Sequence, residues 1–173
     1  MVRLSSPLIV LATMLAFTAP AFAHVSLQVP AAAAGSTYKA ILQVPHGCDG
    51  AATTSIKVRI PEGYFNVKPM PKPGWTIETV KRPYGKSYEL HGSTISAGVT
   101  EITWSGGTLP DDFYDEFVFR GTLAGDLAEG TVLSFPTLQL CGMAEEAWID
   151  TSGEEAEMPA PALTITPAQQ HQH

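Results

Sequence analysis

One histidine in this 173-residue chain stands where processing would change its chemistry. His24 directly follows Ala21-Phe22-Ala23, and small residues at the last and third-last positions are what signal peptidase accepts. Cleavage there would give a single residue both a free α-amine and an imidazole. The amine nitrogen and the ring Nδ1 can close a chelate on one ion, so two ligands are fixed at the conformational cost of one side chain. α-Amines and imidazoles as a class release their protons near neutrality, so a metal displaces them cheaply. Two nitrogens in one plane suit tetragonal Cu(II), which also heads the divalent affinity order. The competing N-terminal copper motif requires histidine at the third mature position, and Ser26 stands there.

A second histidine, His46, offers a third nitrogen. If Val25–Val29 and Tyr38–Val44 pair as a hairpin across Pro30–Ser36, His24 lies opposite a residue near Leu42. His46 then falls within a few residues of it, at roughly 3.3 Å per residue. A bulge or turn after Pro45 would close the gap, Gly47 and Gly50 permit one, and Asp49 adds an oxygen. Other donors have less around them. Met70 and Met143 are soft ligands suited to Cu(I), but Met70 sits among prolines and Met143 stands alone. His91 has no partner nearby, and His171 and His173 lie in a polar tail. The acidic residues Asp111, Asp112, Asp115 and Glu116 do not have calcium-loop spacing and read as a solvated turn. Trp75, Trp104 and Trp148 read first as core aromatics.

These residues need a scaffold, and the chain supplies one of ordinary size. Residues 1–23 combine Arg3, an apolar run from Leu8 to Phe17 and the cleavage signal, so they read as a signal peptide. The run is too short to span a bilayer. The remaining 150 residues suffice for one domain with one core. Expected localisation is therefore periplasmic or secreted, with no membrane anchor in the mature chain. The full chain carries a formal charge of −7, and loss of Arg3 leaves the mature chain more negative by a single charge. Nucleic-acid binding needs a basic surface, so it is not expected. Cys48 and Cys141, an even pair in an oxidising compartment, read as a disulfide, with a thiolate metal pair as the alternative. Closing a loop of that length stabilises a fold by about 4 kcal/mol on the chain-entropy argument.

Pro, Gly or Asn punctuates the mature sequence every 8 to 12 residues. Between the breaks lie short runs rich in Val, Ile, Thr and aromatics. Strands are predicted at 25–29, 38–44, 54–60, 76–80, 101–104, 116–120, 131–139, 147–149 and 162–166. Around Ile56, Val58 and Ile60 the alternation with Lys57 and Arg59 is clean, the period-two pattern of a half-buried strand. No window has a helical period, although Pro110–Tyr114 could make one turn. Many short strands at even spacing predict an all-β, antiparallel sandwich or barrel. Lys68-Pro69-Met70-Pro71-Lys72-Pro73-Gly74 reads as a stiff connection unable to join a central ladder. Residues 167–173 read as a disordered polar tail. No nucleophile elbow, phosphate loop or zincin motif is present, and an enzyme is not expected.

Several segments, taken in order, resemble the YcnI-like family of exported copper-associated domains. They include Ala23-His24-Val25-Ser26-Leu27, Val44-Pro45-His46-Gly47-Cys48-Asp49-Gly50, Ile60-Pro61-Glu62-Gly63, the proline-rich run through Trp75, Trp104-Ser105-Gly106-Gly107, Asp115-Glu116-Phe117-Val118-Phe119, and Trp148 ahead of Pro159-Ala160-Pro161. The resemblance implies an immunoglobulin-like β-sandwich over residues 24–166. It also implies a Cu(II) site on the N-terminal histidine, here His24, with a tryptophan, here Trp148, packed beside the metal. Gram-positive relatives carry a glutamate shortly after the Val-Pro. This chain has His46, Gly47 and Cys48 there, which makes His46 the candidate replacement ligand. The expected partners are the copper ion and other periplasmic copper-handling proteins, in storage, delivery or resistance. The alternatives are a metal-independent interaction module and a copper mono-oxygenase.

Overall fold

The computed structural model describes residues 24–153 and 156–168. The proposed signal peptide, and His171 and His173 of the tail, lie outside them. Twelve strands run in chain order: β1 (Ser26–Leu27), β2 (Ala31–Ala33), β3 (Thr37–Val44), β4 (Thr53–Arg59), β5 (Tyr64–Pro69), β6 (Thr76–Leu90), β7 (Ser93–Leu109), β8 (Asp115–Leu123), β9 (Val132–Ser134), β10 (Thr137–Cys141), β11 (Ala144–Trp148) and β12 (Ala162–Thr166). They form a sheet of order β1-β3-β8-β5, a second of order β11-β10-β4-β7-β6, and a small third of order β2-β12-β9. Among the described residues no helix is long and apolar enough to cross a membrane.

The sandwich follows from alternation. Strand β3 buries Tyr38, Ala40, Leu42 and Val44 and turns Lys39, Ile41 and Gln43 away, while β4 buries Ile56 and Val58. The inward faces of the two large sheets meet in one apolar cluster that includes Leu42, Phe117 and Phe119 from one and Ile56, Ile102 and Trp104 from the other. Trp104 and Phe117 meet edge-on with centroids 5.5 Å apart, the arrangement aromatic quadrupoles favour. Leu133, Leu163 and Ile165 of the small sheet belong to the same cluster.

The structure corrects several predicted elements. β6 and β7 form one long hairpin, much longer than the short strands expected at 76–80 and 101–104. A two-residue turn at His91 and Gly92, both left-handed (φ 50° and 77°), joins them. Tight turns of that hand match strand twist, so His91 and Gly92 close the hairpin. Phe135 and Pro136 split the run 131–139 into β9 and β10, which lie in different sheets. Lys68 and Pro69, expected as connection, instead end the edge strand β5, where a missing N–H is tolerated, and the proline-rich run enters no central ladder, as expected. Finally, β1 and β3 pair antiparallel, but β2 lies between them in sequence and pairs parallel with β12, so they are not a simple hairpin.

Candidate metal centre

His24 enters the fold on β1, whose Ser26 faces Gln43 and Leu27 faces Leu42 across β3. Two steps further along this register, position 24 falls opposite 45, immediately beside His46. The extrapolated position therefore lies nearer His46 than the partner close to Leu42 that the sequence predicted. His24 is half-buried, and its ring lies 5.6 Å from that of Trp148, tilted by 53°. Trp148 is buried at the end of β11.

A hydrogen-bonded bridge joins this tryptophan to the His46 loop. The Trp148 indole N–H donates to Gln139 Oε1 at 3.0 Å. The Gln139 amide nitrogen donates to the His46 carbonyl at 2.7 Å and to Thr53 Oγ1 at 2.8 Å. Gln139 is fully buried, so leaving such an amide unpaired would cost about 1–3 kcal/mol. The same two segments are joined covalently, because Cys48 bonds Cys141 with Cα atoms 5.9 Å apart. Between His46 and Thr53 the chain turns at Asp49 and Gly50, both left-handed (φ 48° and 87°). Cys48 and Ala51 exchange two backbone hydrogen bonds of 2.9 and 2.8 Å across it. Asp-Gly is the sequence this turn favours.

The His46 ring is oriented by the backbone of the next residue. Nδ1 lies 2.5 Å from the Gly47 carbonyl oxygen. A carbonyl only accepts, so Nδ1 carries the proton and a neutral ring has its lone pair on Nε2. Metal-binding imidazoles commonly use such a carbonyl to fix the tautomer. Gly47 fits only as glycine, since a Cβ there would sit 2.0 Å from the Ala51 carbonyl oxygen and 3.0 Å from Asp111 Oδ1.

The sequence reading missed Glu146, two residues before Trp148 and on the same face of β11, directly across from Gln139. Its Oε2 is buried with no hydrogen-bond partner among the described residues. Burial raises its carboxyl above the usual range; the charge of His46 opposes the rise, while Asp49 and Asp111 add to it. An under-satisfied carboxylate oxygen near an imidazole fits a cation better than it fits an empty interior. No three His, Cys, Asp or Glu side chains among the described residues group closely enough to enclose an ion. A brace takes two nitrogens from one residue, one of them main-chain, and does not require three such side chains.

The other candidates scatter. Asp49 is exposed on its turn. Met143 is fully exposed between β10 and β11, and Met70 is half-exposed beside β5. His91 sits at the tip of the β6–β7 hairpin. Of the acidic turn, Asp115 pairs with Lys72 at 2.7 Å, and Asp111 packs on Gly47. Phe113 N–H bonds to the Pro110 carbonyl, so residues 110–113 make a reverse turn in place of the helical turn considered for 110–114.

The model of a domain of unknown function, DUF1775, matches residues 24–165. The chain belongs to the DUF1775 family. Among solved structures, this DUF1775 chain is 28% identical to an uncharacterized protein from Nocardia farcinica whose crystal structure reveals an immunoglobulin-like fold. That match covers 83% of this chain and 98% of the other, with a TM-score of 0.60. A cohesin module from a Clostridium perfringens family 33 glycoside hydrolase is 13% identical over 83% of this chain and 96% of its own, with a TM-score of 0.49. No curated protein matches. The DUF1775 chain is thus an immunoglobulin-like β-sandwich, the fold the sequence predicted.

Proposed function

We propose that this DUF1775 chain is an exported Cu(II)-binding protein acting in copper storage, delivery or resistance. The observation that carries the reading is the placement of His24 at the register position beside His46, with its ring against Trp148. After cleavage behind Ala23, His24 would give its amine and Nδ1, and His46 would give Nε2. Glu146 is the better-placed oxygen donor, since its Oε2 is buried and under-satisfied whereas Asp49 is exposed. The start of the family match at residue 24 is consistent with a shared mature N-terminus.

Copper would supply a redox-active centre that prefers planar nitrogen coordination. This chain's own residues do the positioning. The Gly47 carbonyl sets the His46 tautomer, the disulfide and Gln139 hold the His46 loop against β10, and Trp148 excludes water from one side of His24. Binding, not turnover, is the activity this arrangement favours.

The test compares the mature chain beginning at His24 with the same chain carrying one extra alanine before it. The first should take up one equivalent of Cu(II) with nitrogen hyperfine structure in its electron paramagnetic resonance spectrum. The second should bind about 100-fold more weakly, the upper end of the loss seen when even an outer-shell support of a metal ligand is removed. Equal affinity for both chains would disprove the brace.

A further inference from the structure

A row of three cations crosses the outer face of the β1-β3-β8-β5 sheet, far in kind from the acidic loops around His46. Lys39 on β3 lies directly opposite Arg120 on β8, and Arg120 lies directly opposite Lys68 on β5. All three side chains are exposed. Like charges directly opposed on one sheet face destabilise it. No carboxylate among the described residues lies within ion-pair distance of any of them; the ion pairs there are formed by Lys57, Lys72 and Lys86 instead. This acidic chain has only ten Lys and Arg residues in all, so three uncompensated cations in one line are a costly concentration.

The next row is apolar. Ile41 faces Val118 across the same two strands, and the Met70 N–H bonds to the Val118 carbonyl at 2.8 Å, which places Met70 at the end of that row. Met70, Pro69 and Pro71 wall a groove of about 280 Å³ whose rim carries Lys39, Lys68 and Arg120. Strands are spaced about 4.8 Å apart, so the outer cations of the row are roughly 10 Å apart. Carboxylates on alternate residues of an extended peptide are about 7 Å apart, a span the row can bracket.

We propose that this face docks an extended acidic segment of a partner protein, its carboxylates on Lys39, Arg120 and Lys68 and an apolar side chain in the groove beside Met70. Charge complementarity selects the occupant. A bilayer is a poorer fit, because in the apolar row of Ile41, Val118 and Met70 only Met70 is exposed, and that only by half. The surface lies apart from His24 and His46, so it stands or falls independently of copper.

The experiment titrates the metal-free mature chain into a fluorescent pentapeptide with glutamate at positions 1 and 3, valine at position 5 and glycine between them, so that acidic and apolar side chains share one face, reading anisotropy at low and at physiological salt. Binding is expected at low salt and weakens as salt rises. Arg120→Glu should weaken it at least tenfold and Lys39→Gln or Lys68→Gln several-fold, while Lys57→Gln on the opposite sheet leaves it unchanged. Arg120→Glu should also leave thermal stability equal or higher, since it relieves the like-charge row. That readout shows the variant folded and separates docking from a structural role. Three results would overturn the proposal: no binding, equal binding of a lysine–valine peptide, or binding seen only with phosphatidylglycerol vesicles. Self-association of the chain lost on Arg120→Glu would overturn it too, assigning the face to a second copy.

Discussion

Two histidine-bearing regions of this molecule use the same turn and reach opposite ends. At Asp49-Gly50 and at His91-Gly92 two successive residues take left-handed conformations and reverse the chain. The residues leading into Asp49-Gly50 are tied down: Cys48 is bonded to Cys141, the His46 carbonyl is held by Gln139, and Gly47 is pressed between Ala51 and Asp111. Around His91-Gly92 the chain is exposed, and nothing lies within 4 Å of where a Gly92 Cβ would be. Turn chemistry therefore places a histidine, but tertiary bonds decide whether it is held still enough to serve as a ligand. His46 meets that condition and His91 does not.

The largest test of this contrast removes the covalent tie. Replacing both Cys48 and Cys141 with serine should cost about 4 kcal/mol, the loop-closure value for a separation of 93 residues. Thermal unfolding with and without reductant measures it, and Cu(II) affinity should fall with it. An unchanged melting temperature would show that the His46 loop does not depend on the disulfide.

A paired glycine test is next in size. Gly47→Ala puts a methyl group into a carbonyl oxygen, a clash with backbone that should cost about 3 kcal/mol. Gly92→Ala meets only the left-handed backbone penalty, about 1 kcal/mol. Denaturant midpoints of the two variants should differ in that order, and the reverse order would break the comparison.

Gln139→Leu should cost less than the Gly47 change, about 2 kcal/mol, since it leaves the Trp148 indole N–H and the His46 carbonyl without their partner. Tryptophan fluorescence should shift with it. An unshifted spectrum would mean that Gln139 does not set the environment of Trp148.

Much of this was legible before the fold was known, for definable reasons. The strand at 162–166 is bounded by Pro161 and Pro167 and alternates cleanly, and its predicted bounds match the structure. Ala31–Ala33 escaped notice because alanine has little strand preference; pairing with β12 makes it a strand. Tyr64–Pro69 was hidden by Asn66, which is left-handed at φ 53°, and by the proline that ends it. In the candidate site, the sequence named His24 and His46, but on a hairpin register that placed His24 near Leu42, whereas the observed register places position 24 opposite 45. Gln139 and Glu146 went unnamed, because polar residues on a sandwich's inner face contradict the usual pattern. A signal did exist. Cys141, once assigned to a buried disulfide, implies that Gln139 two residues earlier faces inward, and Trp148 implies the same of Glu146.

The parallel pairing of β2 with β12 also has a mechanical side. Ala31, Ala32 and Ala33 lie beside Thr164, Ile165 and Thr166, running in the same direction near the two ends of the described chain. Tension applied at the two ends would pull these strands along each other in opposite senses. Their hydrogen bonds would then carry the load together, in shear, and could not be peeled apart one at a time. A force on the C-terminal end would meet this clamp before it reached the strand that follows His24.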